Sequence, residues 1–82
     1  MFLEILTPEQ KIFEGQVTIA TFPGADGSFQ VMDNHAPLIS LLKEGLVEYR
    51  SKDMNNSLRI SGGVVEVLHN KVVLLADGIA QD

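Results

Sequence analysis

The 82-residue sequence contains no cysteine and no tryptophan. Without cysteine there is no disulfide scaffold, no thiol redox centre and no cysteine-ligated zinc. Positive charge is also scarce: six Lys and Arg stand against eleven Asp and Glu, a formal net charge of −5. So few scattered cations displace few phosphate counterions, which argues against nucleic acid as a partner. Aromatic residues make up 6 % of the chain. A core needs most of Phe2, Phe13, Phe22, Phe29 and Tyr49, which leaves no platforms for a carbohydrate- or peptide-binding sandwich. No apolar run approaches the roughly 20 residues of a membrane-spanning helix. Glu4 interrupts the apolar N-terminal stretch and no basic residue precedes it, so this stretch does not read as a secretory signal. A cytosolic, reducing setting is expected.

What is present specifies a folded chain. Apolar residues are 45 % and charged residues 21 %, a globular composition. Residues 1–82 are read as a single domain, because a chain this short needs most of its apolar residues for one core. The apolar content is high for so small a body, and the surplus has few places to hide.

Turn signals recur at short intervals: Thr7-Pro8, Gly15, Pro23-Gly24, Asp26-Gly27, Asp33-Asn34, Gly45, Asp53 to Asn56, Gly62-Gly63, His69-Asn70 and Asp77-Gly78. The segments between them are mostly of strand length and rich in Val, Ile, Leu, Phe and Thr. Alternation predicts Val17 and Ile19 on one face of a strand over 16–22. It also predicts Leu58 and Ile60 opposite Arg59, and Val65 and Val67 opposite Glu66. His69-Asn70 has the length of a two-residue hairpin loop. Gly62-Gly63 is expected at a sharp bend or a close backbone crossing. The fold class is therefore all-β, a flattened antiparallel β-sandwich or barrel. Residues 37–42 and 72–76 do not alternate and are apolar on both faces. One face meets the core, and the other needs a cover from the chain itself or from a partner.

Candidate chemistry is thin. The stretch Pro23-Gly24-Ala25-Asp26-Gly27-Ser28 lacks a phosphate-loop fingerprint, and Asp26 repels phosphate. Asp33 and His35 are the one acid–base pair close in sequence, and they carry the alternative of a small ligand-binding or hydrolytic β-barrel. Ser28, Ser40 or Ser61 would have to serve as nucleophile with His35 or His69, and no Gly-x-Ser-x-Gly elbow supports any of them. No catalytic, cofactor or metal residue is assigned, and a binding or assembly module is favoured over an enzyme.

The motifs taken together are more specific. Thr7-Pro8-Glu9 is followed by Phe13-Glu14-Gly15-x-Val17 and Pro23-Gly24. Asn34-His35-Ala36-Pro37-Leu38 begins eleven residues after Pro23, and Gly45 follows. Ser61-Gly62-Gly63-x-x-Glu66-Val67 and Val72-x-x-Leu75-Ala76-Asp77 complete the set. In this order and spacing the chain closely resembles, over essentially its whole length, the epsilon subunit of the bacterial F-type ATP synthase, called delta in mitochondria.

The resemblance implies a β-sandwich of about ten short strands and a non-catalytic place in the central stalk of the rotor. The implied partners are the gamma subunit and the ring of c subunits, so that torque from proton or sodium transport reaches the catalytic head. Ala25, Asp26, Gly27 and Ser28 correspond to the ring-facing loop. His35, Pro37, Leu38 and Ser40 fall in the region near gamma and the ring. The implied location is peripheral, on the cytoplasmic face of the bacterial inner membrane, with membrane contact only through the complex. Gln30-Val31-Met32-Asp33 stands where family members commonly read Gly-Ile-Leu-Pro. The two C-terminal helices usual in the family have no counterpart in the sequence. Inhibition of hydrolysis by that route and ATP binding are therefore not expected. A short form and a truncated chain both fit that ending, and the natural-looking Met1 favours the short form.

Overall fold

The structure is a computed structural model that describes residues 1–80. Nine strands account for most of them: β1 Phe2–Leu6, β2 Lys11–Gln16, β3 Ile19–Gly24, β4 Gly27–Met32, β5 Leu38–Leu42, β6 Gly45–Ser51, β7 Met54–Ile60, β8 Gly63–Leu68 and β9 Lys71–Ala76. About ten strands were expected. Beyond these nine, an isolated bridge joins Ile79 to Ile60. Among the described residues no helix is long and apolar enough to cross a membrane.

The strands form one curled sheet that divides into two leaves. Five strands pair in the order β2-β1-β9-β8-β5, and four in the order β4-β3-β6-β7. A single residue pair, Gly24 with Leu42, joins β3 to β5 across the fold line. The leaves face each other around Leu3, Ile5, Phe22, Val47, Ile60, Val65, Val67 and Leu74, all essentially inaccessible to water. Phe13 of one leaf meets Tyr49 of the other with ring centroids 4.6 Å apart, within the favourable range for a tilted aromatic pair. Burial of Tyr49 pushes its phenol pKa up, because the charged form loses hydration.

The alternation holds in the second half of the chain. Val65 and Val67 are buried while Glu66 is exposed, and Ile60 is buried beside exposed Arg59. The β8–β9 hairpin turns on His69 and Asn70, at φ 51° and 60°. Both values are left-handed, as a two-residue turn matched to strand twist requires.

Four expectations are corrected. Residues 16–22 are not one strand. β2 ends at Gln16 and β3 begins at Ile19. The chain changes leaf between them, where Val17 N–H donates to the Met1 carbonyl and Thr18 N–H to the Arg50 carbonyl. That step shifts the phase, so Ala20 and Phe22 are buried while Ile19 and Thr21 are only half-buried, and Pro23 and Gly24 are buried at the end of the strand. The sheet is not wholly antiparallel, because β1 and β9 run parallel with Phe2 opposite Lys71. The intervening chain supplies the long connection that a parallel pair needs. Gly15 lies inside β2 and Pro23-Gly24 inside β3. Asn55 and Asn56 lie inside β7, with the turn confined to Lys52 and Asp53.

Two glycines are fixed by close approach. A Cβ at Gly24 would stand 2.5 Å from the Gly27 carbonyl oxygen across the hairpin. One at Gly63 would stand 2.4 Å from the Leu75 carbonyl oxygen, where β8 begins against β9. Gly63→Ala must therefore push two paired backbones apart. We expect a loss of about 1–3 kcal/mol, read as a lower urea midpoint with an unchanged slope.

Candidate functional site

Two groups of loops gather at opposite ends of the sandwich. At one end, the Met1 ammonium donates to the Val17 carbonyl at 3.1 Å and ion-pairs with Asp33. Asn34 holds φ 64° and donates its N–H to Asn70 Oδ1 at 2.8 Å, while Phe2 N–H donates to the Asn70 carbonyl. The N-terminus, residues 33–36 and the 69–70 turn are thereby tied together. Asp33 faces Met1, and His35 Nδ1 lies 2.7 Å from the Ala36 carbonyl. The acid–base pair considered for a hydrolytic barrel is not assembled, since each group has a different partner. Ser40 and Ser61 hydroxyls donate to the backbone carbonyls of Leu41 and Gly78, not to histidine. Among the described residues no cluster of three metal-ligating side chains occurs.

The Ala25-Asp26 turn and the first residues of β4, Gly27 and Ser28, lie at the other end. Ala25, Asp26, Gly27 and Ser28 are all exposed. The turn is braced on β5, because Ala25 N–H donates to the Leu41 carbonyl and Lys43 N–H to the Pro23 carbonyl. β4 separates this turn from His35 and Pro37 by about 17 Å of strand rise. The residues assigned to the ring-facing loop and those assigned to the gamma edge are therefore held apart.

The exceptional surface is the outer face of the β1-β9-β8-β5 block. Strand register aligns Leu6, Leu75, Val64 and Leu41 in one row across it, and Glu4, Val73, Glu66 and Ile39 in the next. Ile39 is 72 % exposed and Leu41 69 %, with Leu75 and Leu68 also open. The corresponding face of the other leaf is more polar: Thr21, Gln30, Glu48, Arg50 and Asn55 line a shallow cleft there together with Ile19 and Tyr49, and Met32 and Leu46 are its exposed apolar side chains. Apolar side chains gathered in one place on one leaf mark a surface built to be covered.

On β5 the pleat separates the interface residues expected from sequence. Leu38 is half-buried against the core and Ser40 is half-buried on the same side, while Ile39 and Leu41 point out. Sequence reasoning did not single out Ile39. The available signal was parity: Leu42 is followed by a turn and packs inward, so every second residue before it does as well.

The fold and this surface define a class: an all-β module whose distinctive surface is suited to assembly rather than chemistry. Within that class the chain belongs to the ATP synthase delta/epsilon family. The family model described as "ATP synthase, Delta/Epsilon chain, beta-sandwich domain" matches residues 1–82. The chain is 43 % identical over 79 residues to an ATP synthase epsilon chain of Chlorobium limicola, covering 95 % of this chain and 90 % of that one. It is 42 % identical over 79 residues to an ATP synthase epsilon chain of Campylobacter curvus, of which it spans 61 %. In fold it resembles a chain in the central stalk and c-ring structure of the Tetrahymena thermophila mitochondrial ATP synthase. There the TM-score is 0.82 at 17 % identity, covering 98 % of this chain and 65 % of that one. A chain in the Euglena gracilis mitochondrial ATP synthase gives a TM-score of 0.87 at 20 % identity, covering 95 % of this chain and 51 % of that one.

The Met1–Asp33 contact gives a stability test. Asp33 stays 57 % exposed while the Met1 side chain is 1 % exposed. Solvent screening on the Asp33 side puts the pair at the weak end for a charged hydrogen bond, about 1 kcal/mol. Asp33→Ala is expected to lower Tm by about 4–8 °C, measured by circular dichroism, and to leave the outer face of β5 and β8 unchanged.

Proposed function

We propose that the chain is a non-catalytic rotor subunit of an F-type ATP synthase, a single epsilon-type sandwich over residues 1–82 that links the gamma subunit to the c ring. One observation carries the reading: a row of apolar side chains, Leu6, Leu75, Val64 and Leu41, crosses four strands on an open sheet face. A face of this kind is stable in water only at a cost, and covering it with a partner removes that cost. Family membership supplies the partner, and gamma is the subunit this face fits. The exposed stretch Ala25, Asp26, Gly27 and Ser28, braced by β5, is directed to the c ring. His35 and Pro37 lie at the far edge of the gamma contact. Leu38 and Ser40 support the strand from the core side, while Ile39 and Leu41 make the contact. The subunit does no chemistry of its own and transmits torque between ion transport in the membrane and nucleotide chemistry in the head. It works at the membrane surface through its complex, on the cytoplasmic side in a bacterium.

Two substitutions separate binding from folding. Ile39 and Leu41 are mostly exposed, so Ile39→Asp or Leu41→Asp costs the free domain only about 1 kcal/mol, from the poor strand propensity of Asp and, at position 39, from the like charge of Glu66 opposite it. Each is expected to weaken gamma binding by about 2 kcal/mol or more, roughly thirtyfold. Co-elution with co-expressed gamma on size exclusion at micromolar concentration, followed by calorimetry on the variants, checks both. Separation of the wild-type chain from gamma in that experiment overturns the reading.

A further inference from the structure

The outer face carries one charge that its apolar setting does not explain. Glu66 sits mid-strand on β8, with Val64 and Leu68 two residues away on the same face, Ile39 opposite it on β5 and Val73 opposite it on β9. It borders two shallow depressions, one shared with Pro37, Ile39 and Leu68, the other with Leu68, His69, Lys71 and Val73. The neighbouring charges are otherwise engaged. Lys11 bridges Glu14 and Glu4, and these contacts push its ammonium pKa up. Lys71 is opposite Leu68 rather than Glu66, and its ammonium lies over the Phe2 ring, 5.9 Å from the centroid. Among the described residues no cation forms an ion pair with Glu66.

A hydrated carboxylate costs nothing on an open face. Once the face is covered, it must either be paired or be buried unpaired, and the latter is strongly unfavourable. We infer that Glu66 is the specificity determinant of the docking face, and that the partner sets one cationic side chain, an Arg or Lys flanked by apolar residues, against it. The inference rests on the reading that gamma covers this face. The same carboxylate disfavours a second copy of the chain. A two-fold contact centred on β8 brings the two Glu66 carboxylates together, between chains that each carry −5, and Lys71 is the one lysine on the same face that could offset them. Glu66 therefore selects a basic partner and keeps the free apolar face from pairing with itself.

The test compares gamma binding by the wild-type chain, Glu66→Gln, Glu66→Lys and Ile39→Asp at low and high salt. It is joined to analytical ultracentrifugation of the free wild-type chain and of Glu66→Leu. Exposed Glu66 makes no contact whose loss unfolds the domain, so all Glu66 variants are expected to keep the wild-type Tm. Glu66→Gln should weaken gamma binding at least about tenfold and flatten its salt dependence. Glu66→Lys should abolish binding, and Glu66→Leu should self-associate where the wild type stays monomeric. Wild-type affinity in Glu66→Lys, with binding lost in Ile39→Asp, overturns this inference and leaves the docking reading standing. Absence of gamma binding by the wild type overturns both.

Discussion

A pleated sheet has two faces, and a chain this short can bury only one of them. Strand side chains alternate between the faces, so every strand that contributes to the core also presents a second set of residues outward. In the four-stranded leaf that second set is mainly polar, including Thr21, Gln30, Glu48 and Arg50, with Met32 and Leu46 as its exposed apolar members. In the block β1-β9-β8-β5 it includes Leu6, Leu75, Val64, Leu41 and Ile39. The core between the leaves is closed by Phe22, Leu3, Ile5, Ile60 and Leu74, and among the described residues no element covers the outer apolar row. The asymmetry between the two outer faces is what suits the apolar one to being covered.

The rest of the structure supports that face. The parallel β1–β9 pair places Leu6 beside Leu75 and extends the row by one strand. The close packing of Gly63 on the Leu75 backbone fixes the start of β8 and therefore the register that sets Val64 between Leu41 and Leu75. At one end, the Met1, Asn34 and Asn70 contacts tie three loops together and define where β5 begins. At the other end, the Ala25 and Lys43 hydrogen bonds tie the Ala25-Asp26 turn to the end of β5. Both loops assigned to partners are thus anchored to the strand that carries the two most exposed apolar side chains.

Much of this was legible in the residue order. Turn residues at short spacing and strict alternation in 58–60 and 64–68 report local backbone geometry, which neighbouring residues determine. The family is also legible, because its motifs are short segments in fixed order. The break at Val17-Thr18 was not legible. Gln16 to Phe22 alternates plausibly as one strand, and what interrupts it is the move from pairing with β1 to pairing with β6. Nor could Asp33 and His35 be separated from a catalytic pair by sequence. The buried ammonium that engages Asp33 comes from Met1, thirty-two residues away.

The sequence by itself determined an all-β chain of short strands, the His69-Asn70 hairpin and an apolar surplus in residues 37–42 and 72–76. These follow from side-chain period and turn chemistry, which act over a few residues. Only the tertiary structure decided where the surplus goes. Pairing of β5 with β8, of β8 with β9 and of β9 with β1 aligns side chains distant in sequence into common rows, and no local preference encodes that alignment. The pleat then turns Leu38 and Leu42 inward and Ile39 and Leu41 outward. It also leaves Glu66 as an unpaired carboxylate in an apolar field, a relation that exists only once three strands lie side by side.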